Sequence, residues 1–141
     1  MGFFMIFIVL FMPLYALSEE RLSVLGKIVN IRSGPGTQYD VLWKVEKYYP
    51  VIILKKEKNW YNFKDFESDK GWIHKSFLGK LSSVITIKNK CNVRSGPGKE
   101  YAVLFTVENG VPFKKLGKKK SWIKVEHVDG DIGWIYQPLV W

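Results

Sequence analysis

An internal repeat constrains the fold of this chain more than any other feature of its sequence. Residues 30–78 align with residues 92–140 at a constant offset of 62 positions and without a gap, and 20 of the 49 aligned pairs are identical. The identities cluster in Asn-Ile/Val-Arg-Ser-Gly-Pro-Gly, in Tyr-x-Val-Leu and in Gly-Trp-Ile. Such a repeat predicts two copies of one structural unit of about sixty residues. We expect these units to span residues 24–79 and 84–141.

Short β-strands are indicated within each unit. The apolar run Val51-Ile-Ile-Leu54 follows Pro50 and is typical of a buried strand. Residues 121–126 alternate in polarity, which places Ile123 and Val125 on the core face. No segment after residue 18 has helical periodicity.

Turn signals separate the predicted strands. Asp129-Gly130 is a hairpin-turn signal. The two Gly-Pro-Gly sequences predict loops, because proline has no amide hydrogen and glycine tolerates positive φ. The predicted fold class is therefore all-β, with two tandem small barrels of about five short strands each. Because so small a barrel is marginal in stability, we expect the two to share an interface near the junction, through residues Leu78, Leu81, Val84 and Ile85.

An uncharged apolar segment precedes the repeats. Residues 3–12 are all apolar, and Pro13 follows them. This run is shorter than the roughly twenty apolar residues that span a bilayer, and it has the length of the centre of a secretory signal. Ala16 and Ser18 have the spacing that signal peptidase reads, so residues 1–18 are interpreted as the signal peptide of an exported protein. An uncleaved membrane anchor is the alternative, since no Lys or Arg precedes the apolar run.

Charge and composition restrict the chemistry of the exported part. It carries 22 Lys and Arg against 13 Asp and Glu, a net charge of +9, which favours anionic surroundings. Export argues against nucleic acid as the partner. The single cysteine, Cys91, aligns with Val29 and is interpreted as a small buried apolar residue. One cysteine and two histidines, none at ligand spacing, predict no metal site and no cofactor.

The three repeated blocks, in the same order in both units, resemble the tandem bacterial SH3-like (SH3b) domain. The resemblance covers nearly all of residues 24–141. It implies a non-catalytic module that is exported and often attached to cell-wall hydrolases, which it holds on peptidoglycan. After the second Gly-Trp-Ile only residues 136–141 remain, so we expect the partner to be bound in trans.

Three functions follow from this resemblance and from the charge. The first is binding of peptidoglycan or its stem peptides. The main alternative is an adaptor that binds an envelope protein through the same grooves. An enzyme that uses Cys91 is the third.

Two tryptophans are candidate ligand contacts. The same-parity neighbours of Trp60 and Trp122 are polar, which predicts that both indoles face solvent. An exposed tryptophan at the same place in both units indicates a binding surface. The resemblance adds that a tryptophan at the corresponding point of SH3 domains helps to line the ligand groove. The alternative interpretation is that each indole covers the open end of its barrel.

Two tyrosines and two arginines are further candidates for ligand binding. Tyr39 and Tyr101 lie in the long loop of each unit and are placed to reach the same groove, or else to pack within the loop. Arg32 and Arg94 carry guanidinium groups that suit carboxylates and phosphates and that also brace loops.

Lysines crowd one predicted hairpin of the second unit, at positions Lys114, Lys115, Lys118, Lys119 and Lys120. A solvated turn explains this pattern without any function. The functional interpretation is a patch that is attracted to an anionic envelope surface, whether wall polymer, peptide carboxylates or lipid headgroups. That attraction would weaken with salt, because exposed charges are screened within about 10 Å at 0.1 M ionic strength.

Overall fold

The computed structural model describes residues 8–10 and 19–141. The predicted signal peptide, residues 1–18, lies outside the described residues except for 8–10, which are exposed. The described chain is all-β, as predicted, with two antiparallel sheets and two short 3₁₀ helices. Within the described ranges, no helix has the length and apolar character needed to cross a membrane.

The first sheet has seven strands and forms the first barrel. In chain order they are β1 (Glu20–Val24), β2 (Ile28–Arg32), β3 (Val41–Glu46), β4 (Pro50–Glu57), β5 (Trp60–Lys64), β6 (Lys70–His74) and β7 (Leu78–Gly79). Their order in the sheet is β3-β2-β6-β5-β4-β1-β7. A 3₁₀ helix, Lys75–Phe77, joins β6 to β7, and β7 pairs with β1. The chain therefore returns to its first strand, and β3 and β7 are the edge strands of the sheet.

The second sheet repeats this arrangement with six strands. They are β8 (Ser83–Ile85), β9 (Cys91–Arg94), β10 (Val103–Val107), β11 (Pro112–Lys119), β12 (Trp122–Glu126) and β13 (Ile132–Tyr136), in the order β10-β9-β13-β12-β11-β8. A 3₁₀ helix, Gln137–Leu139, follows β13, and a bridge between Thr86 and Val140 takes the place of the β1–β7 pairing. The register is also repeated, since Leu22 lies opposite Val51 and Val84 lies opposite Phe113.

Each barrel packs its own apolar core, and the large aromatic residue of that core lies on a different strand in each. Phe63 on β5 and Val51 on β4 are fully buried in the first barrel. At the matching positions the second barrel has Val125 on β12 and Phe113 on β11, also fully buried. The phenylalanine and the valine thus occupy these two matching positions in opposite order in the two barrels. The combined side-chain volume at the two positions is therefore the same. The predicted inward direction of Val125 is confirmed.

The two barrels are packed against each other at β1 and β8. Ile85, on a strand of the second sheet, is fully buried in the core of the first barrel, while its neighbour Val84 belongs to the second core. Trp141 also packs on the first core, and the Arg21 guanidinium lies 4.2 Å from the centroid of its ring. Arg21 Nη2 donates to the carbonyl oxygens of Ser83 at 3.1 Å and Trp141 at 2.9 Å. The expected shared interface is confirmed at Ile85, which is fully buried in the first core.

The Gly-Pro-Gly sequences form loops for a different reason from the one predicted. Among the described glycines, only Gly110 and Gly130 have positive φ, so positive φ does not explain Gly34 or Gly96. A Cβ atom on Gly34 would instead collide with the ring of Tyr39, and one on Gly96 would collide with the ring of Tyr101. Glycine is required here because the loop tyrosine packs directly on the backbone. Gly130, with φ of 91°, confirms the predicted hairpin turn.

Candidate ligand-binding site

The second barrel has an open cleft of about 600 Å³, here called cleft 2. Tyr101 from the β9–β10 loop, Trp122 at the start of β12 and Tyr136 at the end of β13 line it. Trp122 lies opposite Tyr136 in the β-ladder, and their ring centroids are 5.3 Å apart with the planes tilted by 51°. Because residues opposite each other share one face of a sheet, the ladder brings the two rings together.

Charged side chains surround this aromatic wall. Lys119 and Lys120 come from the β11–β12 turn, and Lys99 and Glu100 come from the loop that also carries Tyr101. Lys119 is the ladder partner of Trp122, so its ammonium group starts from the same face as the indole. The three lysines are exposed, and they make no ion pair within residues 19–141. Cleft 2 therefore combines aromatic surface with uncompensated positive charge.

The first barrel has a smaller cleft of about 340 Å³ at the related place, here called cleft 1. Trp60 and His74 take the positions of Trp122 and Tyr136, with ring centroids 5.2 Å apart and planes nearly perpendicular at 88°. Ile28 and Phe77 add apolar surface to its lining.

Local hydrogen bonds orient the His74 ring. Its Nδ1 accepts from the backbone N–H of Ser76 at 3.2 Å and lies 2.7 Å from the Ser76 hydroxyl. Cleft 1 is also smaller than cleft 2, and Arg32 is the one charged side chain among the described residues that line it.

The two predicted tryptophans line the clefts, whereas only one of the two predicted tyrosines does. Trp60 and Trp122 are half-buried, and each has an open cleft beside it. Tyr101 lines cleft 2, whereas Tyr39 does not line cleft 1. The two tyrosines are nevertheless exposed to the same degree, 41% for Tyr39 and 42% for Tyr101. They therefore form a matched pair, one beside a cleft and one outside it.

Arg32 and Arg94 make the same hydrogen bonds in both barrels. Arg32 Nη1 donates to the carbonyl oxygens of Thr37 and Tyr39 at 3.1 and 3.0 Å, and Arg94 Nη1 donates to those of Lys99 and Tyr101 at the same two distances. Each guanidinium thus braces its Gly-Pro-Gly loop, the structural alternative considered above. Arg32 also lines cleft 1, while Arg94 does not line cleft 2.

The lysine-rich hairpin divides into separate surfaces. Lys119 and Lys120 line cleft 2, whereas Lys114, Lys115 and Lys118 do not. Lys118, Lys119 and Lys120 are exposed, and Lys114 and Lys115 are half-buried. The five lysines predicted as one patch therefore present only two ammonium groups to the cleft.

The remaining reactive side chains lie away from the clefts or are occupied in local bonds. Cys91 is fully buried, its Sγ donates to the Lys88 carbonyl oxygen at 3.0 Å, and burial raises the pKa of its thiol. This confirms its interpretation as a core residue. His127 Nδ1 accepts from the backbone N–H of Asp129 at 3.3 Å. Within the described ranges, no three His, Cys, Asp or Glu side chains are grouped so as to hold a metal ion.

Sequence reasoning did not identify the residues that face the tryptophans. His74 and Tyr136 form one wall of their clefts, and only their equivalence was visible in the repeat. The signal was nonetheless present, because both follow Gly-Trp-Ile directly. If Ile123 pairs with Ile135 in a hairpin, then Trp122 must pair with Tyr136 on the opposite face.

The fold and the clefts together define two small β-barrels that each present an aromatic cleft, which is the architecture of a binding module. The family model of the bacterial SH3 domain matches residues 26–80 and again residues 88–141. The chain therefore belongs to the bacterial SH3 domain family and contains two copies in tandem. This confirms the resemblance found in the sequence.

Curated relatives share parts of the chain. It is 28% identical over 123 residues to the putative N-acetylmuramoyl-L-alanine amidase YrvJ of Bacillus subtilis, a match that covers 79% of this chain and 24% of that protein. It is 44% identical over 55 residues to the probable cell wall amidase LytH of Staphylococcus aureus, covering 38% of this chain and 19% of that protein. The chain thus spans about a quarter or less of either relative.

A solved structure, NlpC2 from Trichomonas vaginalis, aligns with 90% of this chain and 49% of its own chain. The TM-score is 0.40 and the identity is 14%. The family assignment rests on the two matches to the bacterial SH3 domain.

Proposed function

We propose that this protein is an exported, non-catalytic binding protein that attaches to peptidoglycan or its stem peptides through clefts 1 and 2. One observation carries the proposal. In both barrels a tryptophan stands half-buried on the outer face, opposite a second ring and beside an open cleft, instead of packing in the core. A repeated aromatic cleft of this kind is the usual form of a binding site.

The chemistry of the clefts suits a wall peptide. The flat indole and phenol rings offer apolar surface on which methyl groups and sugar faces pack. Lys99, Lys119 and Lys120 offer charge-assisted hydrogen bonds to carboxylates, which are stronger than bonds between neutral groups. Peptidoglycan carries sugars, alanine methyl groups and free peptide carboxylates, so it supplies each of these partners.

The names of the relatives support a wall ligand and an exported location. YrvJ is named as an amidase of N-acetylmuramoyl-L-alanine, and LytH as a cell wall amidase. A non-catalytic role is supported by Cys91, which is buried with its thiol pKa raised and lies away from both clefts. The apolar segment before the repeats supports export.

Retention on purified peptidoglycan sacculi tests this proposal. The native protein should sediment with sacculi, and Trp60→Ala combined with Trp122→Ala should reduce retention by at least tenfold, because both aromatic walls are removed. Leu116→Ala is the matched control, since Leu116 is an exposed apolar residue that lines neither cleft. Circular dichroism should confirm that all variants are folded.

The outcome also separates the proposal from the adaptor alternative. If the native protein shows no retention at any salt concentration, a wall ligand is wrong. Recovery of one defined envelope protein under the same conditions would then favour an adaptor that uses the same clefts.

A further inference from the structure

We propose that the two clefts have different selectivities: cleft 2 selects a peptide that carries a free carboxylate, and cleft 1 selects for one less strongly. This inference depends on the proposed function for its ligand, a wall peptide, and assigns the charged part of that ligand to one barrel.

The repeat allows each residue that lines cleft 2 to be compared with its counterpart in the first barrel. Of these counterparts, Thr37, Trp60 and His74 line cleft 1. Cleft 2 has Lys119 beside Trp122 in the ladder, whereas the same ladder position beside Trp60 is Glu57. The loop residue Lys99 is replaced by Thr37 in the first barrel. Lysine at position 120 is retained as Lys58, and Glu100 corresponds to Gln38.

The formal charges that line the two clefts also differ. The lining of cleft 2 carries three lysines and one glutamate, a net charge of +2. Within residues 19–141, the lining of cleft 1 carries one charged residue, Arg32, and does not include Glu57 or Lys58, so its net charge is +1. Exposed charges of this number raise the local concentration of an oppositely charged ligand. Charge complementarity therefore favours an anionic ligand more strongly at cleft 2, since Arg32 Nη1 in cleft 1 already donates to the carbonyl oxygens of Thr37 and Tyr39.

Ion pairs distinguish the two hairpins. In the first hairpin Lys55 lies 3.9 Å from Glu57, and Lys56 lies 2.9 Å from Glu20. In the second hairpin none of the five lysines between positions 114 and 120 has an acidic partner within the described part of the chain. The lysines of the second hairpin are therefore available to interact with a ligand.

Glu100 reduces the positive charge of cleft 2 without cancelling it. Its carboxylate is folded back over Gly98, where a Cβ atom would collide with both carboxylate oxygens. That position lies on the loop side of the cleft, and Lys119 and Lys120 approach from the hairpin side. A ligand carboxylate would meet the hairpin lysines, with Trp122 and Tyr136 beside it.

The volumes and walls agree with this difference. Cleft 2, at about 600 Å³, has room for an apolar side chain and an adjoining carboxylate, and the phenol hydroxyl groups of Tyr101 and Tyr136 supply further donors. Cleft 1, at about 340 Å³, has Ile28, Phe77 and the His74 ring on its walls. Its surface suits an uncharged apolar group.

The test uses two synthetic peptides of one stem-peptide sequence, one with free carboxylates and one with every carboxylate amidated. Binding to the full chain is followed by tryptophan fluorescence. Amidation should weaken binding roughly fivefold or more, as expected for the loss of two or three exposed charge contacts. Salt should weaken binding of the free-carboxylate peptide and leave the amidated one unaffected, because only the former depends on screened charges.

Variants then locate the effect. Lys119→Glu should weaken the free-carboxylate peptide roughly tenfold and remove the difference between the two peptides. Lys118→Glu is the matched control, because it changes the same charge one residue away at an exposed position outside the cleft and should leave binding unchanged. In the Trp122→Ala background, Thr37→Lys, which gives the lining of cleft 1 the counterpart of Lys99, should strengthen the preference of cleft 1 for the free-carboxylate peptide.

Four results would overturn the inference. Equal binding of both peptides would exclude selection for a carboxylate. An equal effect of Lys118→Glu and Lys119→Glu would show that binding depends on the overall charge of the protein and not on a lysine in cleft 2. If neither peptide binds while sacculi are still retained, cleft 2 does not bind wall peptide and the proposed function survives. Competition by soluble teichoic acid as strong as that by the free-carboxylate peptide would show that the lysines recognise any polyanion.

Discussion

In the first barrel the tryptophan of the cleft faces a histidine and has a glutamate beside it in the ladder, whereas in the second barrel it faces a tyrosine and has a lysine beside it. The arginine hydrogen bonds that brace the two loops show no such divergence. Arg32 and Arg94 donate to matching carbonyl oxygens at matching distances. Identity between the repeats therefore includes the arginines that hold the loops and the tryptophans of the clefts, and the residues around each tryptophan are the ones that differ.

The two cores also differ in residue type while the strand pairing stays the same. Both barrels bury one phenylalanine and one valine at two matching positions, but in opposite order. The hydrogen-bond register is retained although the large ring has moved to a neighbouring strand. The fold therefore requires the combined volume of the two side chains, and either strand can carry the phenylalanine.

The largest effect on stability is expected at Ile85, which lies in the second sheet but is buried in the first core. Ile85→Ala should destabilise the first barrel by about 3 kcal/mol, because it leaves a cavity in a closed core. Hydrogen exchange followed by mass spectrometry should show the loss of protection in β1 and β5. Val84→Ala, one residue away, should act on β12 instead, and equal effects of both variants on both sheets would contradict independent cores.

The exchanged core pair gives a smaller effect. Phe63→Val should lower the free energy of unfolding by on the order of 2 kcal/mol through the lost apolar volume. Adding Val51→Phe recreates the arrangement of the second barrel and should recover more than half of that loss. Urea denaturation measures both values. If the double variant is less stable than Phe63→Val alone, the two barrels do not tolerate the same packing.

A smaller difference concerns Tyr49, whose counterpart in the second barrel is Val111. The Tyr49 hydroxyl donates to Asp65 Oδ2 at 2.6 Å, and Asp65 Oδ1 accepts from the backbone N–H groups of Glu67 and Asp69. Tyr49→Phe should cost about 1.5 kcal/mol at pH 7, because the buried carboxylate loses a donor. Tyr48→Phe is the control, since that neighbouring hydroxyl makes no hydrogen bond within the described chain.

The same bond predicts a dependence on alkaline pH. Burial, and then the hydrogen bond to Asp65, raise the pKa of Tyr49 above its ordinary value. Below about pH 10 the phenol is protonated in both the folded and the unfolded chain, so its contribution is fully present. Above that pH the unfolded chain loses the proton first, and stability falls as pH rises. Urea denaturation at pH 8 and pH 10.5 should show a steeper fall for the native chain than for Tyr49→Phe.

The sequence was sufficient to predict the two repeated units, their strands and their turns. It was not sufficient to predict contacts between residues that are far apart in the chain. The repeat, the alternation at Ile123 and Val125 and the turn at Gly130 each report a local preference, and the structure confirms them. The alternation does not say which core receives Ile85, because periodicity gives the direction of a side chain relative to its own strand only. The bonds of Arg32 depend on where loop carbonyl groups point, and no pattern of residue types records that.

The packed junction has a consequence for how the two clefts meet a polymer. Ile85 in the first core and Arg21 stacked on Trp141 leave little freedom for a hinge between the barrels. When two sites are held at a fixed spacing, the second binding event becomes intramolecular, and its gain in avidity depends on how well that spacing matches the distance between successive ligand groups. A wall with regularly placed peptides would therefore be discriminated by its geometry as well as by its chemistry.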